Sequence, residues 1–427
     1  MGARERLRIG VDVGGTNTDA VIVQGPKVLA KCKTPTTPAV EDGIAAALAS
    51  VVTDADVALG AIDLVCIGTT HFTNAFVERR GLEPVGILRV ALPAAAALPP
   101  LTDWPSELAA HVRGAVSVVR GGYNYDGTLN SPLDEQAVAT AARDFRDRGL
   151  SSVALSALFA PVNEEMEARA AEIIRTEHPG CRLTLSSHIG RLGLLERENA
   201  GIMNASLAGL ARATIDGYRS SLSKLGISAP LYVSQNDGTV MSTEFAERYP
   251  VLTFASGPTN SMRGAAYLSG LSDALVVDIG GTTADIGVLT RGFPRESATL
   301  VDIGGVRTNF RMPDILALGL GGGSEVHLSS ESVHVGPRSV GFRLTEEALV
   351  YGGSTLTATD IAVASGYASL GDPFLVRHLA PAQVETAVES IHRSLEDGLD
   401  RMKVSRGAVP LVLVGGGSIL IDRPLAG

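Results

Sequence analysis

A chain of 427 residues exceeds what one hydrophobic core usually serves, so two or more domains are expected, and an apolar share of 45% with 48 glycines places it among turn-rich α/β proteins rather than disordered or fibrous ones. The net charge of −10 without any basic cluster argues against nucleic acid or an anionic membrane as partner. Cys32, Cys66 and Cys181 share no CxxC spacing and no secretory signal precedes the first strand, which argues against a zinc ribbon and suits a reducing, cytoplasmic setting.

The first element in chain order is RIGVDVGGTNTDAVIV, Arg8 to Val23: an apolar strand ending at Asp12, a Gly-Gly-Thr turn and a second apolar strand. A glycine pair between two β-rich runs can be an ordinary hairpin, but it also lets backbone N–H groups approach an anion, with a threonine hydroxyl as a further donor and the strand-end carboxylate placed to hold hydrated Mg²⁺. Lys27–Lys33 reads as a third strand, a helix is expected from about Val40 to Val52, and Asp63–Ile67 reads as a short buried strand in which Cys66 is a small hydrophobe. The following GTTHFTNAFVERRG turns into a helix, and strand ends are where this class of fold gathers ligands. Thr69, Thr70, His71, Thr73 and Asn74 are therefore candidate substrate contacts, the alternative being a helix entry capped by threonine, with Thr73 or Asn74 serving backbone N–H groups.

From Gly81 to about Leu185 the pattern reads as an inserted subdomain. The apolar stretch ALPAAAALPP from Ala91 is broken by proline and too short to span a bilayer, Asp126-Gly127 signals a hairpin, Asp134 caps an amphipathic helix reaching Gly149, and Val153–Leu158 is a strand. Gly193 to about Leu225 reads as one long helix joining the halves, with Asn199 and Asn204 expected to be solvated or capping, the alternative being that they reach the cleft. Leu231–Ser234 is a strand entering a polar turn at Gln235, Asn236, Asp237 and Gly238, and Ser256, Gly257 and Pro258 are expected to repeat that turn.

At Ala274 the opening pattern returns as ALVVDIGGTTADIGVL, so that Asp12, Gly14, Gly15, Thr16 and Asp19 recur 266 positions on as Asp278, Gly280, Gly281, Thr282 and Asp285. Two copies of Asp-Φ-Gly-Gly-Thr-x-x-Asp suit a clamp on one polyphosphate, with Asn17 and Thr283 in the same turns. The absence of GxxxxGK[ST], and a turn that leads to a strand rather than a helix, fit neither a P-loop nor a dinucleotide fingerprint. Asp302–Arg311 also holds Gly-Gly but lacks the threonine and aspartate in register and reads as an ordinary turn, and Leu411–Leu420 reads as a buried strand ending in Gly415, Gly416 and Gly417.

These motifs resemble the ASKHA superfamily of actin-like ATPases and sugar kinases. Within it the match is to the hydantoinase/oxoprolinase family, carried by Asp12–Asp19, Ile67–Gly81, Ala255–Gly264, Val277–Asp285 and Leu318–Ser324 in family order. The resemblance implies an α/β fold of duplicated ASKHA (actin/sugar kinase-like, ribonuclease H-like) domains flanking a cleft. Residues 1–80 and 186–270 would form the first half, 81–185 an inserted substrate-side subdomain and 271–427 the second half. It also implies ATP and Mg²⁺ as cofactors, with Asp12 and Asp278 as metal ligands, Asp285 or Asp19 orienting the attacking group, and Gly415–Gly417 as an adenosine motif. His71 departs from the apolar or small residue expected in larger relatives and reads as a supporting residue rather than a base. Leu316 stands where those relatives have the histidine of Asp-x-His, which argues against a second-metal or carboxylase role. The chain ends seven residues after Leu420, before the expected helix, so either a longer full-length protein or a crippled nucleotide site is expected.

Three functions follow from the resemblance. One is an ATP-dependent amidohydrolase opening a hydantoin, 5-oxoproline or related lactam, in a homo-oligomer and with a second, B-type hydantoinase subunit as possible partner. The others are a small-molecule kinase on the same fold and a non-catalytic nucleotide-binding subunit.

Overall fold

A computed structural model describes residues 5–14, 17–35, 40–329, 332–404 and 407–421. The chain forms two compact units, Met1–Gly257 with Ser297–Met312 and Pro258–Glu296 with Pro313–Gly427.

In the first unit β1 (Leu7–Val13) and β2 (Asn17–Gln24) pair antiparallel, and β3 (Lys27–Pro35) completes a meander. Alternation sends Leu7, Ile9, Val11 and Val13 of β1 to one face, where Ile44, Leu48 and Val51 of α1 (Val40–Ala55) join the same core. β4 (Ile62–Thr69) lies parallel to β1 and leads into α2 (His71–Val77). Next come β5 (Val85–Leu92), α3 (Ser106–Val112), β6 (Arg113–Arg120) and the small hairpin of β7 (Gly122–Tyr123) and β8 (Leu129–Ser131). Then come α4 (Glu135–Asp147), β9 (Ser152–Ala157), α5 (Glu165–Glu177) and β10 (Arg182–Leu185). The Asp134 carboxylate caps α4 by accepting from the Ala137 N–H at 2.9 Å. The sheet β10-β9-β5-β6 is wholly parallel, and its central strands are covered on both faces, β9 being buried at every position and β5 at all but its last, which is why these two read as largely apolar rather than alternating.

α6 (Leu194–Lys224) packs on β9 and β10 and on α1. It lies wholly within the first unit, tying that unit's two sheets together rather than joining the halves of the molecule. β11 (Leu231–Ser234) adds to β4 in parallel and turns into β12 (Val240–Ser242), followed by α7 (Thr243–Arg248), so the first sheet runs β12-β11-β4-β1-β2-β3. Ser256, Gly257 and Pro258 do not repeat the polar turn. They open α8 (Ser256–Ser269), whose first turn tolerates a proline because its N–H would have no helical partner.

The second unit's sheet begins with β13 (Ala274–Ile279), β14 (Ala284–Thr290) and β15 (Phe293–Pro294). The chain then supplies the first unit with a hairpin, β16 (Val301–Ile303) and β17 (Val306–Thr308), turning at Gly304 and Gly305 with φ of 61° and 85°. Residues 297–312 thus pack with the first unit, although they lie within the stretch 271–427 assigned by sequence to the second half. The second unit resumes with β18 (Ile315–Leu318), a hairpin of β19 (Ser324–Leu328) and β20 (Val333–Ser339), α9 (Leu344–Glu347), α10 (Ala358–Ala364), α11 (Pro381–Met402) and β21 (Leu411–Val414). Its core sets Leu275, Val277 and Ile279 with Ile391, Leu395 and Leu399 of α11. The sheet runs β15-β14-β13-β21, with β18 on β14. Each unit therefore has an antiparallel hairpin with a parallel strand beside its first strand, β2-β1-β4 and β14-β13-β21, so the α/β fold is duplicated. Among the described residues no helix is long and apolar enough to cross a membrane.

Candidate active site

The two copies of the repeated motif form matching hairpins. Asp12 faces Asp19 across the first hairpin and Asp278 faces Asp285 across the second. The Gly14 N–H donates to the Asn17 carbonyl at 3.0 Å, and the Gly280 N–H to the Thr283 carbonyl at 2.8 Å. In the parallel strand alongside, Asp12 lies level with Gly68 and Asp278 with Val414. Gly15 and Thr16 lie outside the described residues.

The carboxylates differ in surroundings. Asp19 is 48% exposed, with the Lys33 ammonium 3.6 Å away. Asp285 has no ion-pair partner among the described residues, and burial, reinforced by the Asp278 carboxylate, pushes its carboxyl up to about 6. Two facing carboxylates beside an exposed turn at Gly281, Thr282 and Thr283 fit Mg²⁺, which takes one or two carboxylates together with phosphate oxygens and water.

Two glycine loops close on that second turn. A Cβ at Gly321 would lie 2.6 Å from the Thr282 nitrogen, and one at Gly323 would lie 2.9 Å from the Gly281 carbonyl oxygen. The Gly322 and Gly323 N–H groups donate to the Gly280 and Gly281 carbonyls at 3.0 and 2.7 Å, so Leu318–Ser324 braces the turn from behind. At Gly415 the backbone is left-handed, with φ of 84°, and a Cβ would fall on the Asp278 carboxylate oxygen and the Ile279 carbonyl. Gly417 is as tight, a Cβ there lying 2.7 Å from the Gly280 carbonyl oxygen, whereas Gly416 faces open space. β21, expected to be buried, is half-buried at all four positions because it is the sheet's outermost strand.

In the first unit the polar residues after β4 gather against the end of β1. Both the Thr70 N–H and its hydroxyl donate to the Val13 carbonyl, at 3.2 and 3.4 Å. Thr69 rather than Thr70 serves the helix entry, its hydroxyl accepting from the His71 N–H at 3.0 Å. Neither Thr73 nor Asn74 caps a backbone N–H: the Asn74 amide donates to the Thr70 hydroxyl at 3.4 Å, and the Thr73 hydroxyl is buried with no partner among the described residues. Burial holds the His71 imidazole below its ordinary range, and its ring meets Phe72 edge-on at 5.8 Å.

Other polar groups took places that local sequence did not show. Arg89 is fully buried within β5, with its Nε 2.7 Å from Glu198 Oε2 and Ser156 donating to that same oxygen at 2.7 Å. An arginine inside the run GILRVAL was the available signal, since such a charge needs a partner. Asn199 and Asn204 are neither solvated nor capping: α6 is covered on both sides there, and buried amides must be bonded. Asn199 donates to the Arg307 carbonyl at 3.0 Å and accepts from the Trp104 indole at 2.7 Å, while Asn204 donates to Thr184 and the Arg248 carbonyl at 3.0 and 2.9 Å. Asp314 is held by Arg295 at 2.6 Å, and Leu316 sits in β18 opposite Ile286.

The family model of the hydantoinase/oxoprolinase N-terminal region matches residues 8–178, and that of hydantoinase/oxoprolinase matches residues 197–404. The chain belongs to this family. It is 27% identical to the caprolactamase subunit alpha of Pseudomonas jessenii, over 96% of this chain and 61% of that protein. It is 29% identical to the acetophenone carboxylase gamma subunit of Aromatoleum aromaticum, over 84% of this chain and 53% of that one. The chain thus spans between half and two thirds of the length of these family members. Among solved structures, the ATP-dependent caprolactamase of Pseudomonas jessenii superposes with a TM-score of 0.77 at 24% identity, covering 96% of this chain and 65% of that one. Nucleotide-free acetone carboxylase superposes with a TM-score of 0.63 at 21% identity, covering 95% and 64%. These two likenesses bear on the fold.

Proposed function

We propose that this chain is the nucleotide-handling part of an ATP-dependent enzyme that opens a lactam or related cyclic amide. The observation that carries the reading is the twin hairpin, in which the same closing hydrogen bond and the same facing pair of carboxylates occur in both units. Family membership and likeness to a caprolactamase subunit support it. Mg²⁺ on Asp12 and Asp278 would supply charge neutralisation for the phosphates. The chain's own groups do the rest: the turn amides of Gly14, Gly15, Gly280 and Gly281 hold phosphate oxygens, joined by Thr16, Asn17, Thr282 and Thr283, and Gly415–Gly417 lie against adenosine. Thr69, Thr70, His71, Thr73 and Asn74 face the cyclic amide, and Asp285 or Asp19 orients the attacking group.

In the reaction the γ-phosphoryl group passes to the amide carbonyl oxygen, breaking its bond to ADP, and two water molecules then displace the ring nitrogen and the phosphate in turn. Lactam, ATP and two water molecules become amino acid, ADP and phosphate. A second subunit is part of this reading, since the named relatives are subunits themselves. The carboxylase likeness supports the coarser reading of ATP-dependent chemistry equally well, so the assay must separate the two.

The test is calorimetric titration with MgATP, then ADP release over a panel of lactams and hydantoins, with ketones plus bicarbonate as the contrasting arm. Lactam-dependent ADP release that disappears in Asp12→Ala and Asp278→Ala is expected. Full turnover in both variants would sink the assignment.

A further inference from the structure

The first unit holds a cleft of about 420 Å³ lined by none of the residues assigned to nucleotide or amide. It lies along β10, the outer strand of the parallel sheet, and between α5, α6 and α7. Arg175 enters it from α5, Arg182 from β10, Arg212 from α6 and Arg248 from the last turn of α7, facing Glu244 and Glu247.

These charges do not cancel one another. Both glutamates are engaged by Arg219, at 3.0 and 2.5 Å, and Arg182 is engaged by Glu83 at 2.6 Å. Arg175, Arg212 and Arg248 have no carboxylate partner among the described residues, and Arg248 is oriented by stacking over the Tyr249 ring, 5.2 Å from its centroid. Three arginines without a carboxylate partner lining one concavity repel each other, a cost that an anion relieves, and their planar forks match the oxygens of phosphate or carboxylate. The strand edge adds a further donor. The Arg182 N–H bonds inward to Ser151 at 2.8 Å, so by the alternation of a ladder the Leu183 N–H faces the open edge, along the cleft.

We propose that this cleft binds a small organic anion carrying two or more negative charges on oxygen, a phosphate monoester or a dicarboxylate. Its volume exceeds what a bare oxyanion fills and lies in the range of metabolite pockets. β10, at four residues, offers too little edge for an added peptide strand, which favours a compact anion over an acidic peptide.

The experiment is calorimetric titration of the whole chain, held in saturating MgADP, with inorganic phosphate and separately with succinate. The comparison protein is Arg212→Gln/Arg248→Gln. Both side chains are exposed, so the variant is expected to fold, which an unchanged melting temperature checks. The expected result is binding of at least one probe with Kd at or below about 1 mM. That affinity falls about tenfold or more in the double variant and weakens at high salt. Binding of phosphate alone names the phosphate ester as ligand, and binding of succinate as tightly names the dicarboxylate. Absence of binding by both probes, or equal affinity in the double variant, overturns the proposal.

Discussion

Asp285 faces Asp278 across the β13–β14 hairpin, and burial beside that second carboxylate raises its pKa from an ordinary 3.8 to about 6. The folded state therefore favours the protonated acid. Its stabilising effect is complete below about pH 4 and is lost as pH rises through 6. In Mg²⁺-free buffer, Asp285→Asn should exceed wild type in stability above pH 6 by up to about 3 kcal/mol, and the two should converge toward pH 4. Urea unfolding from pH 4 to 8 checks this, and a gap that stays constant with pH would contradict it.

Gly415 and Gly416 offer a matched pair. Gly415→Ala puts a methyl group on the Asp278 carboxylate in a left-handed backbone, whereas Gly416→Ala meets open space. The first should cost about 1–3 kcal/mol and abolish MgATP binding, and the second should change stability by less than about 1 kcal/mol. Thermal melts and nucleotide titration of the two proteins decide it, and equal behaviour would mean the strand end can move away.

The Arg89–Glu198 pair is fully enclosed in the first unit. Arg89→Met leaves a buried carboxylate without its cation and should lower stability by about 3–5 kcal/mol. Arg89→Met/Glu198→Leu should regain most of that loss, because neither charge then needs a partner. A double variant no more stable than the single would show that the pair's hydrogen bonds to neighbours dominate.

Thr73 carries a buried hydroxyl without a partner among the described residues. Thr73→Val should raise stability by about 1 kcal/mol or leave it unchanged. If that hydroxyl meets the cyclic amide, the same substitution raises KM by about tenfold in the ADP-release assay without altering MgATP affinity. A loss of stability instead would place the hydroxyl in a structural role.

Much of the architecture was readable because local physics dictates it. The Gly-Gly turn between alternating strands forces a hairpin in both copies, the Asp134 cap starts α4, and the apolar run at β9 demands a strand covered on both faces. What failed was local reading where distant groups decide. Ser256-Gly257-Pro258 looked like a turn and opens a helix, and Asn199 and Asn204 looked solvated but bond Trp104, Thr184 and two carbonyls far along the chain.

By itself the sequence determined the repeat 266 positions apart, and with it the facing carboxylates and the duplicated fold, because side-chain alternation and glycine turns act over a few residues. Only the tertiary structure decided what each carboxylate experiences. Asp19 is open to water and to Lys33, while its counterpart Asp285 is half-buried and partly desolvated beside Asp278, whose own carboxylate is crowded by the backbone at Gly415. The same eight-residue pattern thus yields two electrostatically different sites, since desolvation depends on neighbours that no local spacing reveals.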